Sequence, residues 1–399
     1  MFRQCLVWDR LAREGDRVIA SAQHASTKLF RSRVLCLLVL LLGGASAPSA
    51  QRKSFSAEKR TQIEMAVSRF RSANSVPGIG VAVVLEGEPV WSAGFGMADL
   101  EDSAPATSST LFRLGSISKP ITATAILQLW ERGKLDLDAP VQNYCPAFPQ
   151  KEWPITSREL LGHVGGIRHY SPDGKGDIPE DSARHFQSME ESLQIFAGDP
   201  LVAKPGTIFN YSTYGYTLLG CVLEGAAAQK YVDYVRENIF KPAGMAQTQA
   251  DDLFAVIPHR TRWYHKDNSG VVRNAGVLDS SYKIPGGGLI SSADDMARFE
   301  AAILADKLLR RATRDLMWTT LKTADGKQTA YGLGWGLNEK FGVRLIGHTG
   351  GQQGADTAIF LVPDQRAGVV VLANMDNVNS NRLTDEILKI VLDLRDKTP

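Results

Sequence analysis

The chain reads as an α+β protein: an antiparallel sheet built from both chain ends, flanked by terminal helices, with a mostly helical region inserted between them. Three observations predict this class. Apolar, β-branched runs at 79–85 and 90–95 are joined by the turn Glu86-Gly87-Glu88-Pro89. Runs of the same kind return near the end, at 331–336, 343–347, 357–362 and 368–373. Between the two groups the apolar spacing is helical. Strands at both ends can close into one sheet, with terminal helices covering one face. The expected boundaries are a leader at 1–50 and one domain at 51–399. Within that domain the sheet-bearing part covers about 56–115 and 276–399, and the helical part about 116–275.

The chain has 399 residues, 44% hydrophobic and 22% charged, enough apolar content for a sizeable core. Its formal net charge is +2, but the first fifty residues hold seven Lys or Arg against three Asp or Glu. The positive balance therefore belongs to the leader, and no nucleic-acid partner is expected. Lys28, Arg31 and Arg33 precede a nine-residue apolar stretch at 34–42 and then small residues, the layout of a secretory signal. Nine apolar residues are too few to cross a bilayer, so no stable membrane span is expected after leader removal. Export to the periplasm or the exterior is the expectation, with a mitochondrial presequence as the alternative.

Ser56 can cap a helix whose apolar stripe is Ile63, Ala66, Val67 and Phe70, and Pro77-Gly78 ends it. The segment 102–109 is rich in Ser, Pro and Ala and reads as a loop. Ile121, Ala123, Ala125, Ile126, Leu127, Leu129 and Trp130 are apolar nearly all round, which means a buried helix, and Gly133 supplies its stop. Shorter helices are expected at 157–162, 214–224 and 231–240. Residues 171–188 are polar and rich in Gly and Asp, the composition of a mobile loop or lid. Leu383, Ile387, Val391 and Leu394 mark a final amphipathic helix. Cys145 and Cys221 lie in no Cys-x-x-Cys spacing; buried free thiols are expected, and an exported location permits one disulfide.

The chemistry is carried by three separated stretches. Ser116 and Lys119 stand three apart at a helix start, so hydroxyl and amine share one face. The helix terminus lowers the cost of an alkoxide and disfavours a protonated lysine, which gives a nucleophile with its own base. Tyr211 opens a later helix, where a neighbouring ammonium would favour its phenolate and let it shuttle protons. Gly347-His348-Thr349-Gly350-Gly351 ends an apolar strand. A Gly-rich edge can approach a substrate closely, so the Gly351 N–H can pair with that of Ser116 as an oxyanion hole. His348 and Thr349 could hold a substrate carboxylate or carbonyl. The histidines are scattered and no phosphate-loop pattern occurs, so neither metal nor nucleotide cofactor is expected.

In this order and spacing the stretches resemble the serine β-lactamase and penicillin-binding superfamily, in its branch of class C β-lactamases, D,D-carboxypeptidases and related esterases. The signatures Ser-x-x-Lys, Tyr-x-Asn and Lys/His-Thr-Gly map onto Ser116 and Lys119, Tyr211, and His348, Thr349 and Gly350. Residues 134–140, 239–245 and 285–292 extend the resemblance, which runs from about 58 to 395. Residues 166–170 and the Tyr211-Ser212-Thr213 form of the second signature look most like the mitochondrial β-lactamase-like serine proteases and their bacterial relatives. The resemblance implies an acyl-enzyme serine hydrolase, with Thr213, His348, Thr349 and Gly350 touching substrate. Two departures matter. Thr213 stands where the signature has Asn, and His348 where efficient β-lactamases have Lys. Both point away from antibiotic hydrolysis towards a peptidase or esterase acting on a small-molecule or peptide substrate. The alternatives are a β-lactamase or D,D-carboxypeptidase proper, and a non-catalytic binding or scaffold member. The oligomeric state is not legible.

Overall fold

The computed structural model describes residues 55–171, 174–179 and 182–394, so the expected leader lies outside the described residues. Helix α1 (Ala57–Asn74) begins where the Ser56 hydroxyl accepts the Lys59 N–H at 3.1 Å, and ends as Ser75 turns left-handed. Strands β1 (Gly78–Leu85), β2 (Glu88–Asp99) and β3 (Ala104–Pro105) follow. The helical region holds α2 (Ser118–Glu131) and α3 (Thr213–Ala227), and α4 (Ala293–Leu304) comes after it. Strands β4 (Gly336–Lys340), β5 (Val343–Gln352), β6 (Ala355–Val362) and β7 (Ala367–Ala373) precede the final helix α5 (Ser380–Leu392).

The strands form one antiparallel sheet in the order β3-β2-β1-β7-β6-β5-β4. Its closure is the β1–β7 pairing, with Val81 opposite Val371, which joins the two ends of the chain. Ile79, Val81, Val83, Val369 and Val371 pack with Ile63 and Val67 of α1 and with Leu383, Ile387 and Val391 of α5. Ala82, Val84, Val370 and Leu372 face the other way, into a core with Met296, Phe299 and Ile303 of α4. Burial on both faces explains why these strands are unbroken apolar runs rather than alternating ones. Each fully buried Val or Leu contributes about 1.5–3 kcal/mol.

Helix α4 escaped the sequence reading. Its signals are there: the Ser292 hydroxyl accepts the Asp295 N–H, and Met296, Phe299 and Ile303 fall at helical spacing. The strand expected at 331–336 is displaced. Residues 331–335 turn instead, because Gly334 takes φ +85° and lies so close to α2 that a Cβ there would sit 2.3 Å from the Ala123 Cβ. The strand starts at Gly336. The thiol expectation is also corrected: Cys145 and Cys221 form a disulfide that ties the 145 loop to α3. Their Cα atoms lie 5.5 Å apart across a sequence separation of 76 residues. The expected lid around 171–188 is tied down at Asp177, which accepts from Arg168 at 2.6 Å and from the Tyr214 hydroxyl at 2.8 Å.

Candidate active site

Ser116 lies in a 3-10 turn (Gly115–Ile117) just before α2, not as the cap of a regular helix. The turn keeps Ser116 part-exposed while Lys119, one turn along, is fully buried. The Lys119 Nζ stands 3.0 Å from the Ser116 Oγ, 3.1 Å from the Thr213 Oγ1 and 2.7 Å from the Gly286 carbonyl oxygen. A neutral amine satisfies all three: two N–H bonds donate to Thr213 and Gly286, and the lone pair receives the Ser116 hydroxyl proton. Burial first, and then the charge of Lys283, hold the Lys119 amine well below its ordinary range. Desolvation disfavours the ammonium, and no carboxylate among its contacts offsets this.

Tyr211 precedes α3 and covers the pair. Its hydroxyl hydrogen-bonds to Ser116, and its ring centroid lies 4.8 Å from the Lys119 Nζ. The expectation of a favoured phenolate is overturned: burial raises the phenol above its ordinary value, and the Ser116 hydrogen bond only partly opposes it. Tyr211 therefore rests as a phenol, able to give a proton before it takes one.

The glycine-rich end of β5 reaches the serine from the other side. β4 pairs with β5 only as far as Gly336 opposite Gly347, which leaves 348–352 without a strand partner on that side. There β5 packs against the Ser116 turn. A Cβ on Gly115 would fall 2.9 Å from the Gly351 nitrogen, and one on Gly350 only 2.0 Å from the Leu114 carbonyl oxygen. Side chains at these positions would force the strand away. Gly351 itself is exposed, with open space where its Cβ would be.

His348 departs from the expectation of a carboxylate clamp. Its Nδ1 lies 2.6 Å from the Thr349 carbonyl oxygen, to which it can only donate, and its Nε2 lies 2.8 Å from the Tyr331 hydroxyl, which donates to it. Burial, with the charge of Lys119 behind it, depresses the imidazole to about 3. The ring is a neutral wall, both nitrogens spent inside the protein. Thr349 is exposed at the cleft, whereas Thr213 is buried against Lys119 and forms part of the wall of the small chamber at Ser116.

Sequence reasoning missed several neighbours. His163, buried at φ +59°, packs with its ring tilted and 4.2 Å from the Tyr211 ring and accepts the Ser212 N–H at its Nδ1. His169 accepts the Thr213 N–H, and burial followed by the Lys119 charge lowers it to about 4. Lys283 and Gln352 line a small chamber of 70 Å³ together with Ser116. The run Pro285-Gly286-Gly287-Gly288 was the readable signal for this wall, since three glycines permit close backbone approach. Two larger cavities flank the serine. One of 390 Å³ is lined by Tyr211, Tyr331, His348 and Thr349; the other, of 420 Å³, by Tyr170, Lys283, Gly351 and Gln352. Among the described residues, no group of three or more His, Cys, Asp or Glu is placed to hold a metal ion.

A nucleophilic hydroxyl, a desolvated amine, a phenol and a glycine-rich strand end packed against the serine turn form a set able to perform acyl transfer. Comparison with known proteins agrees with that chemistry. The model of the family described as Beta-lactamase matches residues 63–392. The chain is 31% identical to the mitochondrial serine beta-lactamase-like protein LACTB of Bos taurus, over 82% of this chain and 77% of that protein. An octameric penicillin-binding protein homologue from Pyrococcus abyssi superposes with a TM-score of 0.71 at 27% identity, over 84% of this chain and 78% of that one. The D-amino acid amidase of Ochrobactrum anthropi shares the fold, with a TM-score of 0.73 at 23% identity, over 84% of this chain and 99% of that one.

Proposed function

The chain belongs to the beta-lactamase family of serine hydrolases, and from that premise we propose that it cleaves a peptide, amide or ester carbonyl through an acyl-enzyme on Ser116. The observation that carries this reading is the fully buried Lys119 amine, 3.0 Å from the Ser116 Oγ with no carboxylate in contact. Ser116 attacks the carbonyl carbon while Lys119 takes its proton. The N–H groups of Ser116 and Gly351 hold the oxyanion, an interaction commonly worth about a hundredfold or more in rate. Collapse expels the leaving group, which takes the Tyr211 phenolic proton, and the Lys119 ammonium restores it. Water then attacks the acyl-enzyme, with Lys119 and Tyr211 jointly receiving its proton. Thr213 orients Lys119, and Thr349 borders the leaving-group cavity.

A peptidase or esterase with weak or no β-lactamase activity fits better than an antibiotic-hydrolysing enzyme. A neutral His348 with both nitrogens engaged gives a β-lactam carboxylate no cationic partner. The disulfide suits an oxidising compartment and hence export, with a mitochondrial address as the alternative suggested by LACTB. Among the described residues no helix is long and apolar enough to cross a membrane.

The test is covalent labelling. Incubating the purified chain with a fluorophosphonate and with a labelled penicillin should add one probe mass at Ser116, faster for the fluorophosphonate. Labelling that persists in Ser116→Ala would end the assignment, and no label from any probe class would favour a non-catalytic scaffold. A turnover panel of short esters, D-amino-acid peptides and nitrocefin then separates esterase, peptidase and lactamase.

A further inference from the structure

In the proposed mechanism the oxyanion is held by the N–H groups of Ser116 and Gly351. Each belongs to a planar trans peptide unit, in which the N–H points away from the carbonyl oxygen of the preceding residue. Whatever fixes the Gly115 carbonyl therefore aims the Ser116 N–H, and whatever fixes the Gly350 carbonyl aims that of Gly351. A peptide unit whose carbonyl accepts a hydrogen bond is also polarised, which makes its N–H a stronger donor.

Both carbonyls meet a buried side-chain hydroxyl that the proposed mechanism does not use. Ser118, the first residue of α2, is fully buried. Its Oγ accepts the Leu289 N–H at 3.2 Å and donates to the Gly115 carbonyl oxygen at 2.9 Å. The Ser118 backbone N–H reaches the same oxygen, so that carbonyl is gripped twice. Thr357 lies on β6 opposite Gly350 and is fully buried as well. Its Oγ1 stands 3.2 Å from the Gly350 carbonyl oxygen and 2.8 Å from the Leu114 carbonyl oxygen, so one hydroxyl proton is shared between β5 and the turn that carries Ser116. The fit leaves no room for a side chain: a Cβ on Gly350 would lie 2.4 Å from the Thr357 Oγ1 and 2.0 Å from the Leu114 oxygen. Alanine at 118 or valine at 357 would serve packing, but each would take a donor from a buried carbonyl.

We infer that Ser118 and Thr357 are positioning residues that orient the two oxyanion donors, each by holding the carbonyl end of the donor's own peptide unit. Thr357 also fixes the spacing between the two segments, through Leu114. The inference rests on the acyl-enzyme reading above, and the test is chosen to separate the two.

The full chain is assayed as wild type, Ser118→Ala, Thr357→Val and Thr357→Ser on p-nitrophenyl butyrate and on its thiono counterpart, in which sulfur replaces the carbonyl oxygen. Rates are normalised to active sites counted with a fluorophosphonate and to the hydroxide-catalysed rate of each ester. Sulfur is a poor hydrogen-bond acceptor, so the oxo-to-thiono ratio in kcat/KM reads how well the oxyanion is held. Ser118→Ala and Thr357→Val should each lower kcat/KM for the oxo ester by about tenfold, a part of what losing a donor outright costs. The thiono ester should lose much less, so the ratio falls several-fold, and Thr357→Ser should restore it. Each variant acts on a different peptide unit, so one covers the case in which the other does not fold. Unchanged rates, a loss that strikes both esters alike, or a Thr357→Ser no better than Thr357→Val would overturn the positioning role while leaving the hydrolase reading in place. A wild type that neither turns over an ester nor takes label at Ser116 would overturn both.

Discussion

Thr213→Val removes one of the three polar contacts of Lys119, together with the Thr213 side-chain hydrogen bond to Tyr170. The valine keeps the volume and the methyl that sits where Gly286 makes room, since a Cβ on Gly286 would lie 2.8 Å from the Thr213 Cγ2. What Lys119 loses is the 3.1 Å contact from its Nζ to the Thr213 Oγ1. Hydrogen bonds to a charged group contribute about 1.5–3 kcal/mol and neutral ones about 0.5–1.5 kcal/mol, so the ammonium loses more than the free amine. The difference, about 1–1.5 kcal/mol, corresponds to about one pH unit. The sign follows. Lys119 already sits below its ordinary range because burial penalises the charged form, and losing an acceptor penalises that form further. The amine is then freed of its proton at lower pH, so the acid limb of the kcat/KM profile for a neutral ester should move down by about one unit. The plateau should fall by about tenfold, because one amine N–H is left unpaired beside the serine. The assay is an initial-rate profile from pH 4 to 9 on wild type and variant, with fluorophosphonate labelling as a count of active sites. An acid limb that stays put or moves up, with the site count intact, would refute Lys119 as the base poised by this contact.

Three further outcomes are expected. Gly115→Ala places a Cβ 2.9 Å from the Gly351 nitrogen at a left-handed φ of +53°, so kcat/KM should drop by about a hundredfold, far out of proportion to any change in melting temperature; a small kinetic effect would separate Gly351 from the oxyanion hole. The Cys145–Cys221 bridge closes a loop with a sequence separation of 76 residues, for which loop entropy predicts about 4.5 kcal/mol, read as a lower guanidinium midpoint in the Cys145→Ser/Cys221→Ser double variant. Glu300 is buried with both carboxylate oxygens unpartnered, and burial raises its pKa well above the ordinary value. A raised carboxyl pKa removes stability as pH rises through the unfolded value, so Glu300→Met should gain about 1–3 kcal/mol at pH 8, with the gain shrinking towards pH 4.5 in thermal melts.

What could be read from residue order was what is local. Ser116 and Lys119 are close because a helix makes positions three apart neighbours, whatever the rest of the chain does. The strands at 79–85 and 368–373 were legible because burial on two faces leaves an unbroken apolar run. The 331–336 segment looked equally regular, but its glycines serve a turn against α2, and only the packing partner reveals that. Charge states were the least legible. His348 and Tyr211 carry ordinary values in isolation, and what moves them is burial by other segments of the chain. Lys283 and Gln352 had no pattern to betray them, since one lysine in a short 3-10 turn and one glutamine at a strand end look like solvated surface until their neighbours are known.

The electrostatics of the cleft follow one principle. A serine nucleophile needs a base, and a lysine becomes one only if its ammonium is made costly. Here no carboxylate touches Lys119, and the charge that acts on it, Lys283, is of the same sign. The imidazoles of His163, His169 and His348 are all held neutral, each chiefly by burial. Neutral rings fill the space without offering a counter-charge, so the amine stays dry and uncharged. Negative charge created on the substrate then meets a serine flanked by neutral rings and an amine with no carboxylate in contact. On this account the apolar packing of α2 and α3 around Lys119 is part of the chemistry. A side chain that admitted water, or a carboxylate at His163, would re-protonate the base while leaving every catalytic atom in position.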